Sequence, residues 1–408
     1  MAYLSRRLGG MPAFRRLLAS LAVSSLGDWM YNVALLAFIY ERTGSANWLA
    51  FTTAARILPI VVLGPLGGVL ADRHDRRRLI IASDLLCAAL MVALAAVVAF
   101  DGPVLLAPLL AAAATLASTV HPPAVAASTP RLVDAPDLQR ANAARAAIGQ
   151  AAIVIGPAIG ALLLAVSSPA VAILANALTF LAAVGLVASI PAGPAFRPAR
   201  SGVSAGLLAE LRDGVDALRG APAAVRMIAA DIVCSAVYGI LTVTLVLVAG
   251  RVGAGPGGYG LLIGAFGVGG LIGAGVASRL DGTHWRRTLA IALVLVGLPV
   301  AALGVALTLW VALALGVVAG TGAVVAEVLS ETALPRLLDD EVLARAYGLA
   351  LPAALSGIVI GSLIGGPLVA LLGLTGALVA TGAGVLALAF LLLRRPLVVA
   401  VPLPVPSV

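Results

Sequence analysis

Two stretches 205 residues apart constrain this chain more than any other feature. Residues 130–142 read PRLVDAPDLQRAN, and residues 335–347 read PRLLDDEVLARAY. They align without a gap, with Pro130 on Pro335, Arg131 on Arg336, Asp134 on Asp339, Leu138 on Leu343 and Arg140 on Arg345. The same offset places Ile153-Val154-Ile155-Gly156 on Ile358-Val359-Ile360-Gly361, and Gly160 on Gly365. The chain is therefore built from two related halves. A strongly apolar chain of two halves points to a transporter, because two similar bundles can rock about a site held between them.

Composition places the repeat in a lipid bilayer. Of 408 residues, 62% are hydrophobic and 11% charged, against roughly 25% charged in a soluble domain. Mean hydropathy is +1.11. Twelve runs are long and apolar enough to span a membrane, which takes about 20 residues: 14–40, 48–71, 79–100, 104–128, 141–166, 169–190, 223–249, 258–279, 288–306, 308–331, 346–371 and 374–394. The first follows Arg6, Arg7, Arg15 and Arg16 and continues past Asp28, so it reads as a membrane helix and not as a cleaved leader. The expected organisation is a six-helix bundle over 1–190, a cytoplasmic linker with an amphipathic helix over 191–222, a second six-helix bundle over 223–395, and a flexible cytoplasmic tail over 396–408. Within the linker, 207–219 alternates apolar and charged positions as a surface helix does.

Arginine placement sets the orientation. All 26 basic residues are arginine. With the N-terminus inside, the outer loops hold only Arg42 and Arg251, Arg56 falls within a span, and the rest line the inner side. Both termini are thus expected in the cytoplasm. The same placement explains the basic isoelectric point without nucleic acid, for which stacking aromatics are too scarce. Cys87 and Cys234 lie inside apolar runs of different halves and read as small buried hydrophobes.

Between spans 2 and 3 lies Gly64-Pro65-Leu66-Gly67-Gly68-Val69-Leu70-Ala71-Asp72-Arg73-His74-Asp75-Arg76-Arg77-Arg78. Gly68, Leu70, Asp72, Arg73, Arg76 and Arg77 match in spacing the signature loop of the major facilitator superfamily, which this segment resembles; Asp75 replaces the family's second glycine. The resemblance implies a cytoplasmic gate. Asp72 would accept hydrogen bonds from a helix N-terminus of the opposite half or pair with an arginine, and the contact would break on inward opening. The second half has a degraded copy over 270–281, with Ser278 where Asp72 stands. Span 5 carries Gly156-Pro157-Ala158-Ile159-Gly160-Ala161, similar to the segment that marks antiporters of that superfamily, with Ala161 in place of its last glycine. A proline there kinks the helix, and glycines nearby allow close packing. Together with Gly27-Asp28-Trp29, Thr43-Gly44-Ser45 and the run from Arg56 to Arg78, these segments resemble the bacterial branch of enterobactin exporters and macrolide efflux pumps.

Ionisable groups inside spans are costly and are functional candidates. Asp28 lies 12 residues past Arg16, roughly 18 Å deep at 1.5 Å per residue. Asn32 shares its face, and Arg56 is the counter-charge that topology places nearest. A proton and a cationic substrate competing at Asp28 would give antiport; a structural Asp28–Arg56 ion pair is the other reading. Asp84 is expected to pair with Arg77 and Arg78 at the gate. Asp231 in span 7 and Glu327 in span 10, the latter one turn from Glu331, are further candidates for coupling or substrate. Arg145 reads as a snorkelling inner-leaflet residue, and His121, before Pro122-Pro123, as the neighbour of a helix kink.

No phosphate-binding Gly-Lys-Ser/Thr loop, nucleophile elbow or metal-ligand spacing is present in the sequence. The expectation is an all-α membrane protein of twelve helices in the major facilitator fold, not an enzyme and without cofactor. Its central cavity is expected among spans 1, 4, 7 and 10, and its partners are a small-molecule substrate, protons and the bilayer. It would act as a monomer in the cell membrane, exporting an apolar or amphipathic compound such as a drug, antibiotic or siderophore. A metabolite importer and a non-transporting sensor on the same fold are the alternatives.

Overall fold

The computed structural model of the protein describes residues 11–134, 137–197, 222–255, 257–277, 285–337 and 340–394. The expected linker helix and C-terminal tail fall outside these residues, as do Arg6 and Arg7. So do Ser278 and the side chains of Gly68, Asp72 and Glu331.

Apart from one short 3-10 turn, every regular element among the described residues is an α-helix. In chain order they are α1 (Pro12–Thr43), α2 (Ala46–Arg73), α3 (Arg76–Ala99), α4 (Leu106–Ser118), α5 (His121–Leu132), α6 (Leu138–Val166), α7 (Pro169–Ala188), α8 (Pro222–Arg251), α9 (Gly258–Ala277), α10 (Trp285–Leu303), α11 (Leu309–Leu337) and α12 (Asp340–Arg394). Among the described residues, ten stretches are long and apolar enough to cross a bilayer; one of them, Ala353–Leu391, is 39 residues long, and Arg287–Leu303 is a shorter apolar helix. The long α12 is broken at Gly373, whose φ of 70° lies in the left-handed region that glycine enters without steric cost. Span 4 is likewise divided, α4 ending at Ser118 and α5 opening at His121 with Pro122 and Pro123 in its first turn, where proline is tolerated.

Helices α1–α7 pack chiefly on one another, and so do α8–α12. The two groups meet mainly where α12 crosses α2 and where α9 crosses α6. Large apolar side chains face outward all round, among them Phe100, Val166, Trp310 and Leu371, as a bilayer requires and water does not. Between helices the contact is made by small residues. A Cβ on Gly67 would strike the Thr119 carbonyl, and one on Gly239 or Gly361 would strike the backbone of the facing helix at Ile358 or Ala236. Where lipid supplies no hydrophobic drive, such close backbone approach is what holds helices together.

Arginine holds several helix ends. Arg77 donates to the carbonyls of Val187 (3.3 Å) and Ala188 (2.6 Å), and Arg16 to that of Ser189 (2.6 Å), so two guanidiniums cap the C-terminus of α7. The two arginines of the loops expected outside act alike. Arg42 pairs with Asp101 beyond α3 at 2.9 Å, while Arg251 donates to Leu303 (2.7 Å) and Gly304 (2.8 Å) at the end of α10.

Candidate functional site

A cavity of about 240 Å³ lies between the two groups of helices. Its wall is formed by Asp28, Trp29, Asn32 and Leu36 of α1, Thr53, Arg56 and Ile57 of α2, Tyr238 and Thr242 of α8, and Ile358 of α12. Spans 1, 2, 7 and 11 thus contribute, and the expected spans 4 and 10 do not. The reason is the packing: α4 and α5 lie against α2 and α3, α11 lies against α9 and α10, and α2 and α12 close over the gap.

Asp28 sits near the middle of α1 and accepts a hydrogen bond from Asn176 Nδ2 of α7 at 3.3 Å. The contact depends on Gly27, since any side chain there would occupy the space of Asn176 and Thr179. Arg56 turns toward its neighbours on α1. It donates through Nε to the Tyr31 hydroxyl at 3.1 Å and through Nη1 to Asn32 Oδ1, with its guanidinium 5.1 Å from the Tyr31 ring centroid. Such a cation over an aromatic face is favourable, more so when desolvated. No ion pair joins Asp28 to Arg56 among the described residues. The structure therefore brings Asp28, Asn32 and Arg56 to one wall but keeps the opposite charges apart. Thr53 is 4% exposed and its hydroxyl has no hydrogen-bond partner, a costly state that a solute or water in the cavity relieves. The lining thus mixes polar side chains on α1, α2 and α8 with a wall that is mostly apolar in surface.

The other candidates lie elsewhere. Asp231, half-buried on α8, and Glu327, exposed on α11, are absent from the cavity wall; both charges act on Cys234, and each has further interactions. Asp84 does not meet Arg77 or Arg78. It is buried on α3 and faces His121, with Asp84 Oδ1 and His121 Nε2 3.9 Å apart. The correction has a simple cause: Arg77 is drawn to the carbonyl end of α7, while Asp84 lies two turns further along α3, on the side facing the break in span 4. Arg76 is buried and donates to the carbonyls of Ala71 (3.2 Å) and Ala127 (3.1 Å), so it too grips its own group of helices; Arg73 is exposed. Asp75 makes its turn without the family's glycine, accepting the Arg78 N–H at 2.9 Å as the N-cap of α3. Arg145 is half-buried and bonds Asn142 at 3.4 Å.

Gly156, Pro157 and Gly160 place α6 in contact with two helices at once. A Cβ on Gly156 would collide with Trp29 and come within 3.0 Å of the Leu26 carbonyl, and one on Gly160 would lie 2.7 Å from the Met30 carbonyl. These glycines seat α6 on the part of α1 that carries Asp28. On the other side, Pro157 and Ala161 face α9, where a Cβ on Gly260 would lie 2.6 Å from the Pro157 carbonyl and 3.0 Å from Ala161 Cβ. The methyl group of Ala161 thus fits because the facing position is glycine.

The family model described as transmembrane secretion effector matches residues 10–402. The chain belongs to that family, within the major facilitator superfamily, and is a multi-pass membrane transporter. It is 33% identical over 155 residues to macrolide efflux protein A of Streptococcus pyogenes, which is 38% of each chain. It is 28% identical over 210 residues to multidrug efflux pump Tap of Mycobacterium tuberculosis, half of each. The matched stretches thus span half or less of these relatives. Among solved structures, the fold is similar to the nucleoside transporter NupG (TM-score 0.76, 12% identity, 94% of this chain and 98% of that one). It is also similar to an inward-facing bacterial homolog of the lysosomal transporter Spinster (TM-score 0.72, 13% identity, 94% and 97%).

Sequence reasoning missed Asn176, Tyr31, Thr53, Tyr238 and Thr242. Asn176 could have been found as the one amide in the apolar span 169–190. Nothing in the local pattern marks the others.

Proposed function

We propose that this transporter exports an amphipathic small molecule from the cell by proton antiport, with Asp28 as the group that the proton and the substrate occupy in turn. The carrying observation is the cavity wall, where Asp28 is held by one neutral amide while Arg56 is engaged by Asn32 and Tyr31. A carboxylate paired to a guanidinium could not exchange its charge without breaking the pair. The efflux activity named for the relatives and the secretion named for the family support the outward direction.

In the reading proposed here the chain crosses the cell membrane twelve times, counting both arms of α12 and the shorter α10, with both termini cytoplasmic, and works as a monomer. The crossings of α12 over α2 and of α9 over α6 involve Ala46, Asn47 and Gly366 at one and Ala161 and Gly257 at the other, all at the end of the bundle that this orientation makes external. The cavity is then reached from the cytoplasm. Rocking of the two groups would open the external end, and Gly68, Asp72 and Arg73 would form the gate that closes the internal one, with Arg76 and Arg77 anchoring its base to their own group of helices.

Everted vesicles containing a pH-sensitive dye test the reading with a panel of lipophilic cations, macrolides and siderophores. Substrate-triggered proton movement in the wild type and its loss in Asp28→Asn, with insertion unchanged, is the expected result. An equal response in both proteins removes Asp28 from the coupling path. A metabolite facilitator, the other reading, would move its solute with no proton response in either protein.

A further inference from the structure

We infer that Asp84 and His121 form a proton-binding site of their own, separate from the cavity and seated at the break in span 4. Asp84 is 2% exposed and His121 8%. Their facing atoms stand 3.9 Å apart, too far for a hydrogen bond, and both Asp84 Oδ2 and His121 Nε2 are buried without a hydrogen-bond partner. Two complementary buried groups left this way are costly, and one proton shared between them satisfies His121 Nε2 at once and Asp84 Oδ2 after a turn of the carboxyl group. Taken up from the aqueous phase, it sits on His121 Nε2 and is donated to the Asp84 carboxylate, or on Asp84 and is donated to the ring. In either form the contact would shorten by about 1 Å to reach hydrogen-bond distance.

The surroundings tie that movement to the rest of the fold. The same face of α3 holds the far side of the break, with Ser83 Oγ donating to the Ala117 carbonyl at 2.8 Å and Cys87 Sγ to that of Ala114 at 3.4 Å. On the other side Gly67, in the helix that leads to the signature loop, lies directly on the backbone of Thr119 and Val120. A proton that draws His121 toward Asp84 therefore pulls on the segment that supports α2. The charges that reach the pair are Asp28 of α1, acting on Asp84, and Arg145 of α6, acting on His121; Cys87 is the neighbouring thiol. Helices α4 and α7, which also pack against α3, carry no titratable side chain.

The test needs no substrate. Infrared difference spectra of the full chain in nanodiscs, recorded on stepping the pH, report buried carboxyl groups through their protonated C=O band. The expected result is a band that disappears in Asp84→Asn, persists in Asp28→Asn, and has its titration midpoint moved by about one pH unit or more in His121→Gln. A spectrum of Asp84→Asn identical to the wild type overturns the inference, as does a midpoint unmoved by His121→Gln. Should Asp84→Asn fail to insert, the shift between wild type and His121→Gln decides alone. The Asp28 control keeps this outcome distinct from that of the antiport reading.

Discussion

The two crossings that join the groups of helices solve one packing problem in opposite ways. Where α12 crosses α2, the glycine is on α12: a Cβ on Gly366 would lie 3.0 Å from Asn47 Cα and 3.2 Å from the Ala46 carbonyl. Where α6 crosses α9, the position related to Gly366 by the 205-residue offset is Ala161, and the glycines are on the other helix, as Gly257 and Gly260. The crossing needs one missing side chain, and either partner can supply it. A glycine absent from a motif is thus no proof that the motif's contact is absent.

The largest effect is expected from filling both gaps. Leucine at Gly366 or Gly260 should lower the population of the closed state on the order of tenfold or more, since overpacking costs about 1–3 kcal/mol. Labelling of a cysteine placed at Thr53 by an impermeant maleimide, applied from the external side of oriented vesicles, would rise in both variants. A rise in one alone would show that the crossings do not share the closure. A smaller effect comes from moving the glycine: Gly260→Ala should destabilise the protein by about 1 kcal/mol, and adding Ala161→Gly should restore part of that, because the Pro157 carbonyl still faces the new methyl. Full additivity in thermal melts would break the reciprocal reading. Smaller again is the comparison of the two outer arginines. Arg251→Ala, which removes the charged donor shared by the Leu303 and Gly304 carbonyls and the Thr375 hydroxyl, should lower the melting temperature more than Arg42→Ala, whose partner Asp101 is largely exposed. Equal losses would show that Arg42 carries more than a surface pair.

The walls of the cavity differ as the crossings do. Helices α1 and α2 bring Asp28, Asn32, Thr53 and Arg56, whereas α8 and α12 bring Tyr238, Thr242 and Ile358 and no charge. Repeat, apolar runs and motifs made the helical membrane fold legible in the sequence. The meeting of Asp28, Asn32 and Arg56 was legible too, because a charge in a span stands out against its neighbours. The partners were not. These helices are apolar on every side, so periodicity does not say which face meets which neighbour. Pairings across helices, such as Asp28 with Asn176 or Asp84 with His121, depend on that rotation. Arg77 is a further case: a basic loop residue reads as topology or gate, and only the position of the α7 terminus shows that it is a cap.

At the end that the proposed orientation makes external, the close contacts between the groups set backbone against glycine. Dissolved ions screen charge and leave dispersion untouched. A seal built this way would hold equally well in fresh water and in brine, so a cell whose surroundings change in salinity would keep the same tightness against leakage. The opposite end, rich in arginine and cytoplasmic in that orientation, is the one that the ionic strength inside the cell would tune.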